Sequence, residues 1–90
     1  MNYEWDETKA RANLARHGVN FESASEFDWT SAIETIDDRF DYGEDRWIVM
    51  GKIGSKLHVL VYTLRSTNIR IISLRKANKR ERDFYERQAK

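Results

Sequence analysis

The sequence has no cysteine and no proline, and only four of its 90 residues are glycine. The missing cysteines exclude a disulfide framework and any thiolate metal site, and they fit a reducing compartment. With no proline and little glycine, the chain holds no Pro-rich or Gly/Ser-rich linker that would divide it into domains. Nor does any apolar run approach the roughly 20 residues a membrane-spanning helix requires. The opening MNYEWDETKARANLARHG turns polar too early for a secretory signal. These absences lead us to expect a soluble, cytoplasmic protein of one domain, residues 1–90.

The residues present are those of a globular chain, 40% hydrophobic, 34% charged and 12% aromatic. Its formal net charge of +1 hides a strong division. Residues 20–45 hold nine acids against Arg39 alone, whereas residues 46–65 hold four bases and no acid, and residues 66–90 hold eight bases against three acids. A basic C-terminal half in a near-neutral chain suggests a local face for a polyanion. The competing explanation is mutual neutralisation of the two halves across the fold.

DETKARANLARHG reads as a helix with Asp6 as N-cap, Gly18 as stop, and Ala10, Leu14 and His17 on one stripe. Asn20 can cap a second short helix, FESASEF, with Phe21, Ala24 and Phe27 on one side. AIETI reads as a short strand and DDRFDYGED as a polar loop. RWIVMGKI and KLHVLVYTLR then form a hairpin about Gly54-Ser55, followed by the strand IRIISLR and a helix from Lys76 onward. The expected fold is α+β: an antiparallel sheet of about four strands with two helices before it and one after.

The carboxylates Asp37, Asp38, Asp41, Glu44 and Asp45 lack the register of a calcium loop, so a solvated acidic loop is the simpler reading and no metal site is expected. His17 and His58 lie too far apart in sequence for a short-range metal pair. At its helix end, His17 is better explained by the helix dipole than by catalysis. The distinctive feature is cationic: Arg65, Arg70, Arg75, Lys76, Lys79, Arg80 and Arg82 fall within 18 residues. Arginines hold phosphates in a bidentate fork and lysines add point charge. Tyr62, Tyr85 and His58 are candidates for base stacking or proton handling. Strand alternation puts His58 and Tyr62 on one face. If Leu64 pairs with Ile69 in regular register, Arg75 comes opposite His58.

Nearly the whole chain also resembles the BrnT family of bacterial toxins. The matching residues are Trp5-Asp6, Lys9, Asn13, His17-Gly18-Val19, Phe21, Ala24, Gly43-Glu44, Arg46, Gly51, Leu57, Tyr62-Thr63, Arg65, Arg70-Ile71-Ile72-Ser73, Arg75-Lys76-Ala77, Arg80-Glu81-Arg82 and Tyr85-Glu86, in that order. The resemblance implies a RelE-like fold and a ribonuclease toxin of a type II toxin–antitoxin pair that cleaves RNA without metal or cofactor and arrests translation and growth. It implies a BrnA-like ribbon-helix-helix antitoxin as partner, in a heterotetramer that alone binds operator DNA and represses the operon. Carried onto this chain, it makes Arg65, Arg75, Lys76, Arg80, Glu44, His58 and Tyr62 the catalytic candidates. Arg70, Lys79, Arg82 and Tyr85 are the RNA-binding candidates. A non-catalytic nucleic-acid or protein-binding module is the alternative.

Overall fold

The computed structural model describes residues 2–88. It confirms an α+β fold but replaces the expected four antiparallel strands with a five-stranded mixed sheet of order β1-β5-β4-β3-β2. The strands are β1 (Tyr3–Glu4), β2 (Phe27–Asp37), β3 (Arg46–Ile53), β4 (Lys56–Arg65) and β5 (Asn68–Lys76), with helices α1 (Glu7–His17) and α2 (Lys79–Gln88). The extra strand is β1, which pairs parallel to β5 through Tyr3–Ile69 and Glu4–Arg70. Two residues carry no alternation signal, so only the long-range pairing reveals them.

The second expected N-terminal helix is instead a 3-10 helix, Phe21–Glu26. With three residues per turn, positions i and i+3 eclipse, which places Phe21, Ala24 and Phe27 together in the core. α1 is capped as its sequence dictates: the Asp6 carboxylate accepts from the Lys9 amide at 3.1 Å, and Gly18 adopts the left-handed conformation at φ 72°. Its inward stripe differs from expectation. Asn13 is the buried residue, and Leu14 remains 42% exposed.

Asn13 explains that rotation. Beyond the short β1, the edge of β5 has no strand neighbour among the described residues. The Asn13 side chain supplies one: its Nδ2 donates to the Leu74 carbonyl at 2.7 Å, and its Oδ1 accepts from the Leu74 amide at 3.2 Å. Nδ2 also donates to the Val19 carbonyl at 3.1 Å. Buried backbone groups must find partners, and here a side-chain amide completes the sheet edge.

The hairpin turns at Gly54, whose φ of 63° suits glycine. β4 and β5 pair Leu64 with Ile69, but a bulge follows, because Tyr62 faces Ile71 while Val61 faces Ser73. Ile72 is the inserted residue. The slip sets Val59 opposite Arg75 and His58 opposite Lys76, which overturns the expected His58–Arg75 pair. It also lets both Ile71 and Leu74 enter the core.

The main core lies between one sheet face and the N-terminal segments, around Phe21, Phe27, Val49, Leu60, Tyr62, Ile71 and Leu74. Gly51 admits the ring of Phe27 there, since a Cβ at that position would fall 2.4 Å from Cζ. On the other face, a smaller cluster joins Leu57 and Val59 to Ala77 and Tyr85. Tyr85 is the buried anchor of α2 and donates to the Ser31 carbonyl at 2.8 Å.

Candidate nucleic-acid interface

The helix expected from Lys76 begins instead at Lys79, because β5 runs on through Lys76 and Asn78 caps α2. The Glu81 amide donates to Asn78 Oδ1 at 2.8 Å, and the Asn78 amide donates to Glu81 Oε1 at 2.9 Å, a reciprocal capping box. Glu81 also receives the Arg75 guanidinium in a fork, both contacts at 2.7 Å. Each holds the other charged: Arg75 lowers the Glu81 carboxyl pKa, and Glu81 raises that of Arg75. Arg75 therefore latches β5 to the start of α2.

The other strand arginines also face carboxylates. Arg70 donates to Glu4 at 2.9 Å. Arg65, at the end of β4, lies 3.9 Å from Glu44, which sits 3.4 Å from Arg46. Lys79 pairs with Asp83 at 2.9 Å. At the end of β2, where the acidic loop begins, Asp37 is held by the Arg39 fork at 2.8 and 2.9 Å, which lowers its pKa to about 2. Among the described residues no three acids or histidines gather as metal ligands.

His58 and Tyr62 do share a sheet face, as alternation requires, but it is the face covered by the main core. Each is only 6% exposed. Tyr62 donates its hydroxyl to Glu34 and packs edge-on against Trp29, with ring centroids 5.5 Å apart. Burial, reinforced by the Glu34 carboxylate, pushes the Tyr62 phenol far above its usual pKa. The His58 Nδ1 lies 2.9 Å from the Lys56 carbonyl. Neither side chain lines the cationic cleft between the β3–β4 hairpin and α2, although the register sets His58 across from Lys76.

Among the described residues, Lys52, Lys56, Lys76, Arg80 and Arg82 make no ion pair. Four of them, all but Arg80, line a cleft of about 360 Å³ between the β3–β4 hairpin and α2. Ser55, Leu57, Ala77, Tyr85 and Glu86 complete its walls. Arg82 is oriented by a 3.0 Å hydrogen bond to the Ala77 carbonyl. Arg80 stands exposed in the first turn of α2, outside the lining. Of the residues expected from sequence, the cleft thus unites Lys76, Arg82 and Tyr85. It leaves Arg65, Glu44, Arg70 and the Arg75 latch elsewhere.

Lys52, Lys56 and Glu86 were not expected there. Lys52 pairs with Leu57 across the hairpin, so its position follows from strand register. Glu86 arrives only through the docking of α2. The Asn78-x-x-Glu81 capping pattern, by contrast, is readable directly in the sequence.

A small α+β domain in which four cations without ion pairs among the described residues line one cleft has the arrangement expected of a polyanion-binding protein. The family profile described as "Ribonuclease toxin, BrnT, of type II toxin-antitoxin system" matches residues 5–81. The chain belongs to that family: its class of substrate is RNA and its class of partner is an antitoxin. A comparison with curated proteins gave no match.

Proposed function

We propose that this chain is a metal-independent endoribonuclease of the messenger-RNA-cleaving type, and that it grips the scissile phosphate in the cleft between the β3–β4 hairpin and α2. The observation that carries this reading is the meeting of Lys52, Lys56, Lys76 and Arg82 in one cleft without ion pairs among the described residues. The 2′-hydroxyl oxygen of the RNA attacks the adjacent phosphorus, the bond to the 5′-oxygen breaks, and a 2′,3′-cyclic phosphate forms. The cations offset the charge that accumulates on the phosphoryl oxygens, the electrostatic role a metal ion fills in other nucleases. Glu86, the carboxylate of the lining, accepts the 2′-hydroxyl proton, and Lys76 delivers a proton to the departing oxygen. Arg80 and Lys79 guide the strand toward the cleft.

In the same reading, a BrnA-like ribbon-helix-helix antitoxin neutralises the protein in a heterotetramer, and the complex represses its own operon. Family membership supports the partner class. The basic cleft supports inhibition by acidic groups that compete with RNA.

The test is cleavage of single-stranded RNA in excess EDTA by antitoxin-free protein, beside Lys76→Ala. Lys76 is exposed and makes no ion pair among the described residues, so its truncation spares the fold. Loss of one placed donor lowers kcat by about 10²–10³. Cleavage abolished by EDTA, or equal in both proteins, refutes the assignment. The burial of His58 and Tyr62 favours a second reading, a non-catalytic nucleic-acid or protein-binding module. Retention of RNA with no cleavage by folded protein would select it.

A further inference from the structure

A second cationic groove lies on the other side of β5. It holds about 210 Å³ and is lined by Lys9, Asn13, Arg16 and His17 of α1, with Ala12 between them, and by Ile72 and Ser73 of the bulged strand edge. No carboxylate lines it, and neither Lys9 nor Arg16 makes an ion pair among the described residues. Both are exposed. Burial, then the charges of Arg16 and Arg75, lower the pKa of His17, so the local field is positive.

The geometry points to a second phosphate site for the same RNA strand that occupies the cleft, an inference that rests on the RNA-cleaving reading above. Ser73 borders this groove and Lys76 borders the cleft. They lie three positions apart along extended strand, on the order of 10 Å. Arg75, between them in sequence, is held by Glu81, and its charge is felt at His17. The bulged segment Ile72–Ser73 borders the groove together with Lys9 and Arg16 of α1. Asn13 is consumed by Leu74 and Val19, so it positions α1 and does not contact the strand. An RNA chain seated by one phosphate in the cleft then meets two further cations along the edge of β5.

The experiment measures binding of 2′-O-methyl oligonucleotides, which lack the attacking hydroxyl, by wild type, Lys9→Ala/Arg16→Ala and Lys76→Ala over a range of salt. Alanine is the best helix former, so the double variant retains α1. Removing two phosphate contacts flattens the slope of log K against log[salt] by about 1.4 for a single strand. The loss appears with a long oligonucleotide and disappears with a dinucleotide, and kcat on a dinucleotide substrate is unchanged. In the wild type, adding the long strand shifts the NMR signals of the His17 ring and the Ser73 amide. If wild type binds the long strand and the double variant binds it with the same affinity and slope, the second site is wrong while the RNA reading stands. A wild type that holds no strand overturns both. A double variant that keeps its RNA affinity but loses hold of an acidic protein segment reassigns the groove to protein and overturns the inference.

Discussion

Glu81→Ala would remove two devices with one side chain: the reciprocal arm of the α2 capping box and the acceptor of the Arg75 fork. A lost N-terminal cap costs about 1 kcal/mol. The ion pair is partly screened, since the Arg75 and Glu81 side chains are 34% and 18% exposed, and it contributes about 1 kcal/mol more. The expected destabilisation of about 2 kcal/mol corresponds to a fall in Tm of about 8–16 °C for a domain of this size. Thermal and urea denaturation followed by circular dichroism would measure it, and a double-mutant cycle with Arg75→Ala would isolate the coupling. The dependence on pH has a definite sign. The folded Glu81 carboxyl is held below its ordinary value of 4.5, chiefly by Arg75, so its contribution is full above about pH 4.5 and fades as pH falls through the lowered folded value. The difference between Glu81→Ala and wild type should therefore shrink in acid. A loss below about 0.5 kcal/mol at neutral pH, or strict additivity in the cycle, would refute the latch.

Gly51→Ala forces a methyl group into the Phe27 ring and should cost about 1–3 kcal/mol, read as a lower urea midpoint with unchanged m; wild-type stability would show that the ring moves aside freely. Asn13→Ala leaves the amide and carbonyl of Leu74 without their side-chain partner. It should cost about 1–3 kcal/mol and speed hydrogen exchange at the Leu74 amide, and unchanged exchange there would contradict the edge-completing role. The Asp37 carboxyl, held low by Arg39, should titrate at about 2 by carboxyl NMR; because its folded pKa is depressed, its stabilisation is lost as pH falls from about 4 toward 2. Spectrophotometric titration should leave the buried Tyr62 phenol protonated at alkaline pH where exposed tyrosines ionise, and Tyr62→Phe should remove that late step.

Much of the fold was local and therefore legible in sequence. Asp6 and Gly18 bracket α1 because a side-chain acceptor and a left-handed residue meet the needs of any helix end. The strands β3 and β4 and their turn at Gly54 match their β-branched runs residue for residue. Family membership was likewise carried by ordered motifs along the chain. The two-residue β1 was not legible, because its existence depends on β5 lying beside it. Nor was the burial of Asn13 in place of Leu14, which reflects the hydrogen-bonding demand of a distant strand edge.

The candidate site divides in the same way. A run of cations between Arg65 and Arg82 was visible in the order of residues, and the shared face of His58 and Tyr62 followed from strand alternation. Which of those cations are neutralised was decided by contacts far apart in the chain, or by the exact entry of α2. Glu4 reaches Arg70 across 66 positions, and Glu81 reaches Arg75 only because the capping box starts the helix beside β5. The inserted Ile72 shifts the strand register by one and moves Lys76, not Arg75, opposite His58. Residue identity along the chain determined the total charge and the elements that carry it. Tertiary structure determined where that charge is left uncompensated, because pairing depends on distances that no local pattern encodes.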